Sequence, residues 1–141
     1  MKKLFSKLLF TMLFCGVIFA PSVCAQAGYV PFTGFDFTTV PYNEAYEYVT
    51  SKTKADNETN WYVTFTSVTN APTSNPAFVV SAKTMGAAAN QAPVAIQLGS
   101  YSKAYNSSFG AKEKDVFSLF ASGNANNGNS YYITMTGRYT S

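Results

Sequence analysis

The chain has 141 residues, with ten Lys+Arg, seven Asp+Glu and no histidine, and a formal net charge of +3. Without histidine, every Ser-His, Cys-His and His-metal arrangement is excluded. Only 12% of residues are charged while 47% are hydrophobic and 16% aromatic, which excludes wholesale disorder.

The N-terminus reads "MKKLFSKLLFTMLFCGVIFAPSVCAQAGYV". Lys2, Lys3 and Lys7 give a positive start, and Leu8 to Ala20 is an apolar run of 13 residues broken only by Thr11 and Gly16. Pro21 stops the helix, because it has no N–H to donate. Val23-Cys24-Ala25 and Ala25-Gln26-Ala27 then place small or slim side chains as a processing site needs them. Residues 1–25 are therefore predicted to be a cleaved signal helix, with the cut after Ala25 or after Ala27. The apolar run falls short of the ~20 residues that span a bilayer. Cys24 follows Val23, not the small residue that lipid attachment wants, so lipidation is not expected.

Either cut removes Cys15, Cys24 and the three lysines. Residues 26–141 are then expected as one secreted domain, free of thiols and without a stable membrane anchor. Seven basic and seven acidic residues remain, so the net charge falls to zero. A neutral domain offers no general attraction to phosphate backbones, and nucleic acid is not an expected partner.

Downstream, the dominant period is two. "FDFTTV" places Phe35 and Phe37 together, with Asp36 expected to face solvent between them. "NEAYEYVTSKTKADNE" fits two readings. One is a helical turn through Tyr42, Tyr46 and Val49; the other is an edge strand followed by a polar loop. In "WYVTFTSV", Trp61, Val63 and Phe65 alternate with Tyr62, Thr64 and Thr66, as in a half-buried antiparallel strand. Trp61 therefore reads as core. "TNAPTSNPA" carries Pro72 and Pro76 and reads as a turn. Phe78, Val80 and Ala82 share a face in "AFVVSA". "KTMGAAANQAP" can hold one helical turn before Pro93. Val94, Ile96 and Leu98 face one way in "VAIQL", and Phe117, Leu119 and Ala121 do so in "DVFSLFA". Asn127-Gly128 is a favoured pair for a tight hairpin, predicted to join the strands around Phe117 and Ile133. The last strand sets Tyr131, Ile133, Met135 and Tyr139 against Tyr132, Thr134, Thr136 and Arg138, and Gly137 is expected to mark a bulge. Regular strand and turn spacing predicts an all-β fold: an antiparallel β-sandwich of about six to eight short strands.

Few residues can carry chemistry. The carboxylates pair as Glu44 with Glu47, Asp56 with Glu58, and Glu113 with Asp115, in polar, lysine-flanked stretches. A glycosidase needs two acids across a cleft, one in an apolar setting. "DNETN" starts like a calcium loop, but its sixth and twelfth positions are Trp61 and Ser67, where Gly and Glu are required. No catalytic residue, metal ligand or cofactor is predicted, and the expected role is not enzymatic. What remains is a Tyr/Thr/Asn surface. Tyr62, Thr64, Tyr132, Thr134 and Arg138, the only arginine, form the predicted ligand-binding patch. Its expected partner is a cell-wall glycan or another envelope component.

"NETNWYVTFTSV" and "NSYYITMTGRYTS" resemble segments of small exported proteins of Gram-positive bacteria, grouped as a domain of unknown function. That resemblance implies a compact all-β exported domain and carries no catalytic residues. Size, export signal and a Tyr-rich final strand are also similar to lactococcin-type bacteriocins, small β-sandwiches that act on cell-envelope precursors. This sequence lacks their histidines and their Trp near the terminus. The expected function is thus a non-enzymatic binding module at or outside the bacterial envelope. The alternatives are a bacteriocin-like toxin and a glycan-active enzyme that uses carboxylates alone.

Mass spectrometry of the secreted protein is expected to find its N-terminus at Gln26 or Gly28. A diacylated Cys24 at that position would replace secretion with membrane tethering.

Overall fold

The computed structural model describes residues 28–39, 45–72, 77–123 and 130–141. The predicted signal helix with Cys15 and Cys24, and also Tyr42, Glu44, Pro76 and the Asn127-Gly128 turn, lie outside these residues. Within them the chain forms eight strands: β1 (Val30–Thr38), β2 (Glu47–Thr53), β3 (Asn60–Thr69), β4 (Phe78–Ala82), β5 (Val94–Ala95), β6 (Gly99–Ala104), β7 (Val116–Ser122) and β8 (Tyr132–Thr140). One helical turn, α1 (Met85–Ala88), follows β4, and a 3-10 turn at Ser107–Phe109 follows β6. The strands make two antiparallel sheets of four, in the orders β1-β8-β3-β6 and β2-β7-β4-β5.

Strand alternation builds the core between the sheets. Trp61, Val63 and Phe65 of β3, and Ile133, Met135 and Tyr139 of β8, meet Phe117, Leu119 and Ala121 of β7 and Val79 of β4. Phe32 and Phe37 of β1 complete the cluster, and Trp61 is fully buried as expected. In the "NEAYEYV" region the edge-strand reading holds. β2 is the outer strand of its sheet, and the loop after it leads to β3.

β4 and β7 have near-continuous apolar runs because both their faces are covered. Phe78, Val80 and Ala82 do share a face, but it is the outer one. There Val80, Ala82 and Phe120 pack with Ala88 of α1, and with Tyr46 and Phe78 at the margin. The second sheet is thus lined with apolar side chains on both sides.

Two expectations are corrected. Phe117 and Ile133 do not lie on paired strands. β7 pairs with β2 and β4, and β8 with β1 and β3, so the chain leaves one sheet at Gly123 and re-enters in the other at Tyr131. Both strands already have neighbours on each side, which leaves no edge for a hairpin. The crossing is tight at its start, where a Cβ on Gly123 would lie 2.1 Å from Thr39 Cγ2. It ends where Tyr131 N–H donates to Thr39 Oγ1 and Thr39 N–H to the Tyr131 carbonyl, each at 2.9 Å. Leu98 does not join Val94 and Ile96 inside; it is 64% exposed. β5 ends at Ala95, and the chain then swings from one sheet to the other, so the alternation lapses after Ile96.

The bulge expected at Gly137 is found in the strands beside it. The β1 register slips between Phe32 and Phe35, and the β3 register between Phe65 and Ser67. Phe32 and Phe65 are the cross-strand neighbours of Gly137, and their rings meet edge to face at 6.1 Å. A Cβ on Gly137 would stand 2.1 Å from the Thr64 carbonyl oxygen and 2.8 Å from Phe32 Cζ. Backbone cannot yield as a side chain can, so only glycine fits.

Hydroxyls thread the core at one end. Ser81 Oγ lies 2.6 Å from the Tyr139 hydroxyl and 3.1 Å from that of Tyr105. The Tyr105 ring stacks on Phe117 at 4.2 Å. Lys54, read from sequence as part of a polar loop, is buried here. Its Nζ sits 5.4 Å from the Tyr105 ring centroid and 3.6 Å from Asp56 Oδ1. Among the described residues no hydrogen-bond acceptor reaches that Nζ, so the ring face and the ion pair hold its charge.

Gly137→Ala is expected to cost about 3 kcal/mol, read as a lower urea midpoint at unchanged m-value. High pH should also weaken the fold. Burial pushes the Tyr139 phenol from its ordinary 10.0 up to about 12, and raises Tyr105 as well. A folded pKa above the unfolded one gives stability that is complete below the unfolded value and lost as pH rises through the folded one. Between pH 10 and pH 12 the loss from Tyr139 alone is roughly 2–3 kcal/mol. Urea titrations across that range check this, and Tyr139→Phe should flatten the slope.

Candidate ligand-binding face

The outer faces of the two sheets differ. That of the second sheet is apolar, and α1 packs on part of it. That of the first carries hydroxyls, because alternation sends the Thr and Tyr side chains of β3 and β8 away from the core. All five predicted patch residues lie on these two adjacent strands, on this face.

They fall into two groups. Tyr62, Thr64 and Arg138 come together at one end. Register places Pro31, Arg138, Thr64 and Ser100 in one row across all four strands. The next row holds Thr140, Tyr62 and Ser102. Thr64 Oγ1 and Ser100 Oγ are 3.0 Å apart. The Arg138 guanidinium lies 4.5 Å from the ring centroid of Tyr29, which immediately precedes β1 and is 40% exposed. The Tyr62 hydroxyl donates to Glu58 Oε1, and this bond raises its pKa. Among the described residues Arg138 forms no ion pair, whereas Lys54 and Lys83 are paired with Asp56 and Asp115.

Thr134 and Tyr132 lie toward the other end, four and six residues, or roughly 13 and 20 Å, along β8 from Arg138. They surround Asp36, which faces solvent as expected. Thr134 Oγ1 donates to Asp36 Oδ1 at 2.5 Å, and the Tyr132 hydroxyl donates to the same carboxylate. Thr134 first, then Tyr132, stabilises the ionised acid and lowers its pKa; the shared bond raises that of Tyr132. The face is therefore bipolar, with a cation at one end and an anion at the other.

Sequence reasoning missed Tyr29, Ser100 and Ser102. Tyr29 lies just after the predicted cut, with no alternation to give it a face. "GSYSKA" has no apolar period, so β6 has no strand signal; pairing with β3 makes it one. The remaining acids do not gather. Asp56 Oδ1 accepts from the Glu58 N–H at 2.8 Å, and Asp115 pairs with Lys83 at 2.8 Å, a contact that lowers its pKa together with the Lys112 N–H. Among the described residues no group of three acids or thiols could hold a metal ion.

A cavity of about 330 Å³ opens near the C-terminal end of β3, lined by Val68, Asn70, Ala71, Pro72, Ile96, Gln97 and Leu98. Among the described residues no ionisable side chain lines it. Asn70 takes a left-handed conformation at φ +61°, which asparagine tolerates, and turns the chain out of β3. Among the described residues no helix is long and apolar enough to cross a membrane.

Comparison with known families, with curated proteins and with solved structures found no match. The functional reading therefore draws on the geometry of this face and on the sequence itself.

Proposed function

We propose that the protein is a secreted, non-enzymatic binding module that engages a glycan or another component of the bacterial envelope through the outer face of the β1-β8-β3-β6 sheet. The contrast between the two sheets supports this reading. One outer face is largely apolar and partly covered by α1, with Tyr48 exposed at its edge, while the other carries rows of hydroxyls together with the exposed rings of Tyr29 and Tyr132. Flat ring faces suit the C–H faces of sugars, and hydroxyl rows suit their hydroxyl groups. The export signal read at the N-terminus supports an extracellular site of action. The resemblance to small exported Gram-positive proteins agrees with it.

A pull-down on purified cell walls tests the reading. The protein is expected to sediment with the walls, and a Tyr29→Ala, Tyr62→Ala double variant to lose most of that binding while its melting curve stays cooperative. Equal sedimentation of the variant would sink the assignment to this face. No sedimentation, together with growth inhibition of related strains, would favour the bacteriocin-like alternative.

A further inference from the structure

We infer that the Arg138 end of this face is an anion subsite, and that its ligand is a polyhydroxylated chain bearing carboxylate or phosphate groups. This rests on the binding-module reading and names the chemistry of its ligand.

Three observations on the face carry the inference. First, Arg138 has no carboxylate partner among the described residues, although the chain keeps two of its lysines in ion pairs. Its charge is therefore available to a ligand. Second, the Arg138 guanidinium lies over the Tyr29 ring, 4.5 Å from its centroid. A guanidinium held against a ring by its charge does not spend its N–H donors on the contact, and that fork matches the two oxygens of a carboxylate or phosphate. Pre-ordering by the ring lowers the entropy lost on binding. Third, the row continues through Thr64 and Ser100, whose hydroxyls lie 3.0 Å apart beside the cation. These are neutral donors that can serve the same anion or the hydroxyls next to it.

The surroundings set the polarity of the site. Glu58 is the nearest acid in the neighbouring row, where Tyr62 donates to it. Asp36, on β1, lies beside Thr134 toward the other end of β8. A polyanion is therefore expected to enter over Arg138, Thr64 and Ser100 and to be disfavoured toward Asp36. This gives the chain one register along the strands.

The test measures binding of the purified protein to three polymers: polygalacturonate, which supplies carboxylates, poly(glycerol phosphate), which supplies phosphates, and neutral dextran. At least one polyanion is expected to bind about tenfold more tightly than dextran, with affinity falling as salt rises. The two polyanion arms tell the carboxylate source from the phosphate source. Arg138→Ala should remove about tenfold of the polyanion affinity and leave dextran binding unchanged. Arg138→Lys, which keeps the charge and loses the fork, should recover only part of it. Glu58→Gln should tighten polyanion binding, an outcome that structural damage would not produce. Lys112→Ala, which removes one positive charge off this face, should change nothing. Dextran binding as tight as the polyanions, with Arg138→Ala silent, would overturn the anion subsite and leave the binding face standing. Binding to none of the polymers or to purified walls would overturn both.

Discussion

The close approach of β3 to β8 at Gly137 is the constraint on which the sandwich depends. With no side chain there, the Thr64 carbonyl comes in where a Cβ would sit, and the rings of Phe32 and Phe65 meet beside the gap. Both neighbouring strands carry an extra residue at this point, so the register changes as it passes Gly137. That change decides what lies beside what on the outer face. It brings Thr64 level with Arg138 and Pro31, and farther along the strand Thr134 level with Asp36. A core packing requirement thus fixes the composition of a surface row.

The two sheets divide the work of the fold. The β2-β7-β4-β5 sheet is apolar on both faces, with one cluster against its partner sheet and another against α1. The first sheet contributes to a single core and leaves its other face to hydroxyls. The connections enforce this division. The chain changes sheet at Gly123, where it passes against Thr39, and again after Ile96, where Leu98 is left outside. At one end the core admits polar groups, and there they bind one another: Ser81 joins two phenols, and Lys54 lies against a ring and beside an acid.

Period-two patterning made the core legible. Trp61, Val63, Phe65, Ile133, Met135, Tyr139, Phe117 and Leu119 are inside because each sits on a strand long enough for alternation to state its face. Local composition allowed the α1 turn, but at β2 it left a helical turn and an edge strand equally open, and only pairing with β7 decides for the strand. Pairing was not legible. Asn127-Gly128 gave a strong local hairpin signal, but local signals do not reveal that both strands already have two neighbours. β6 escaped because an edge strand with serine on its open side needs no apolar residues there. Lys54 escaped because a charged residue in a polar loop normally stays in water, and only Tyr105, distant in sequence, gives it an interior place. On the candidate face, alternation brought out Tyr62, Thr64 and Arg138, whereas Tyr29 and Ser100 depend on strand order and register.

The placement of the aromatic residues has an optical consequence. The single indole, Trp61, has no solvent exposure and lies 6.4 Å from the Tyr139 ring, so its emission is that of a dry, apolar environment and reports on the integrity of the core. Tyr29, Tyr62 and Tyr132 stand on the opposite side of the same sheet. Phenols so close to the indole pass excitation to it, so the two signals are coupled when both absorb. Excited at the red edge of its absorption, where phenols do not absorb, the indole answers for the core alone, and it loses its dry surroundings only when the sheets separate.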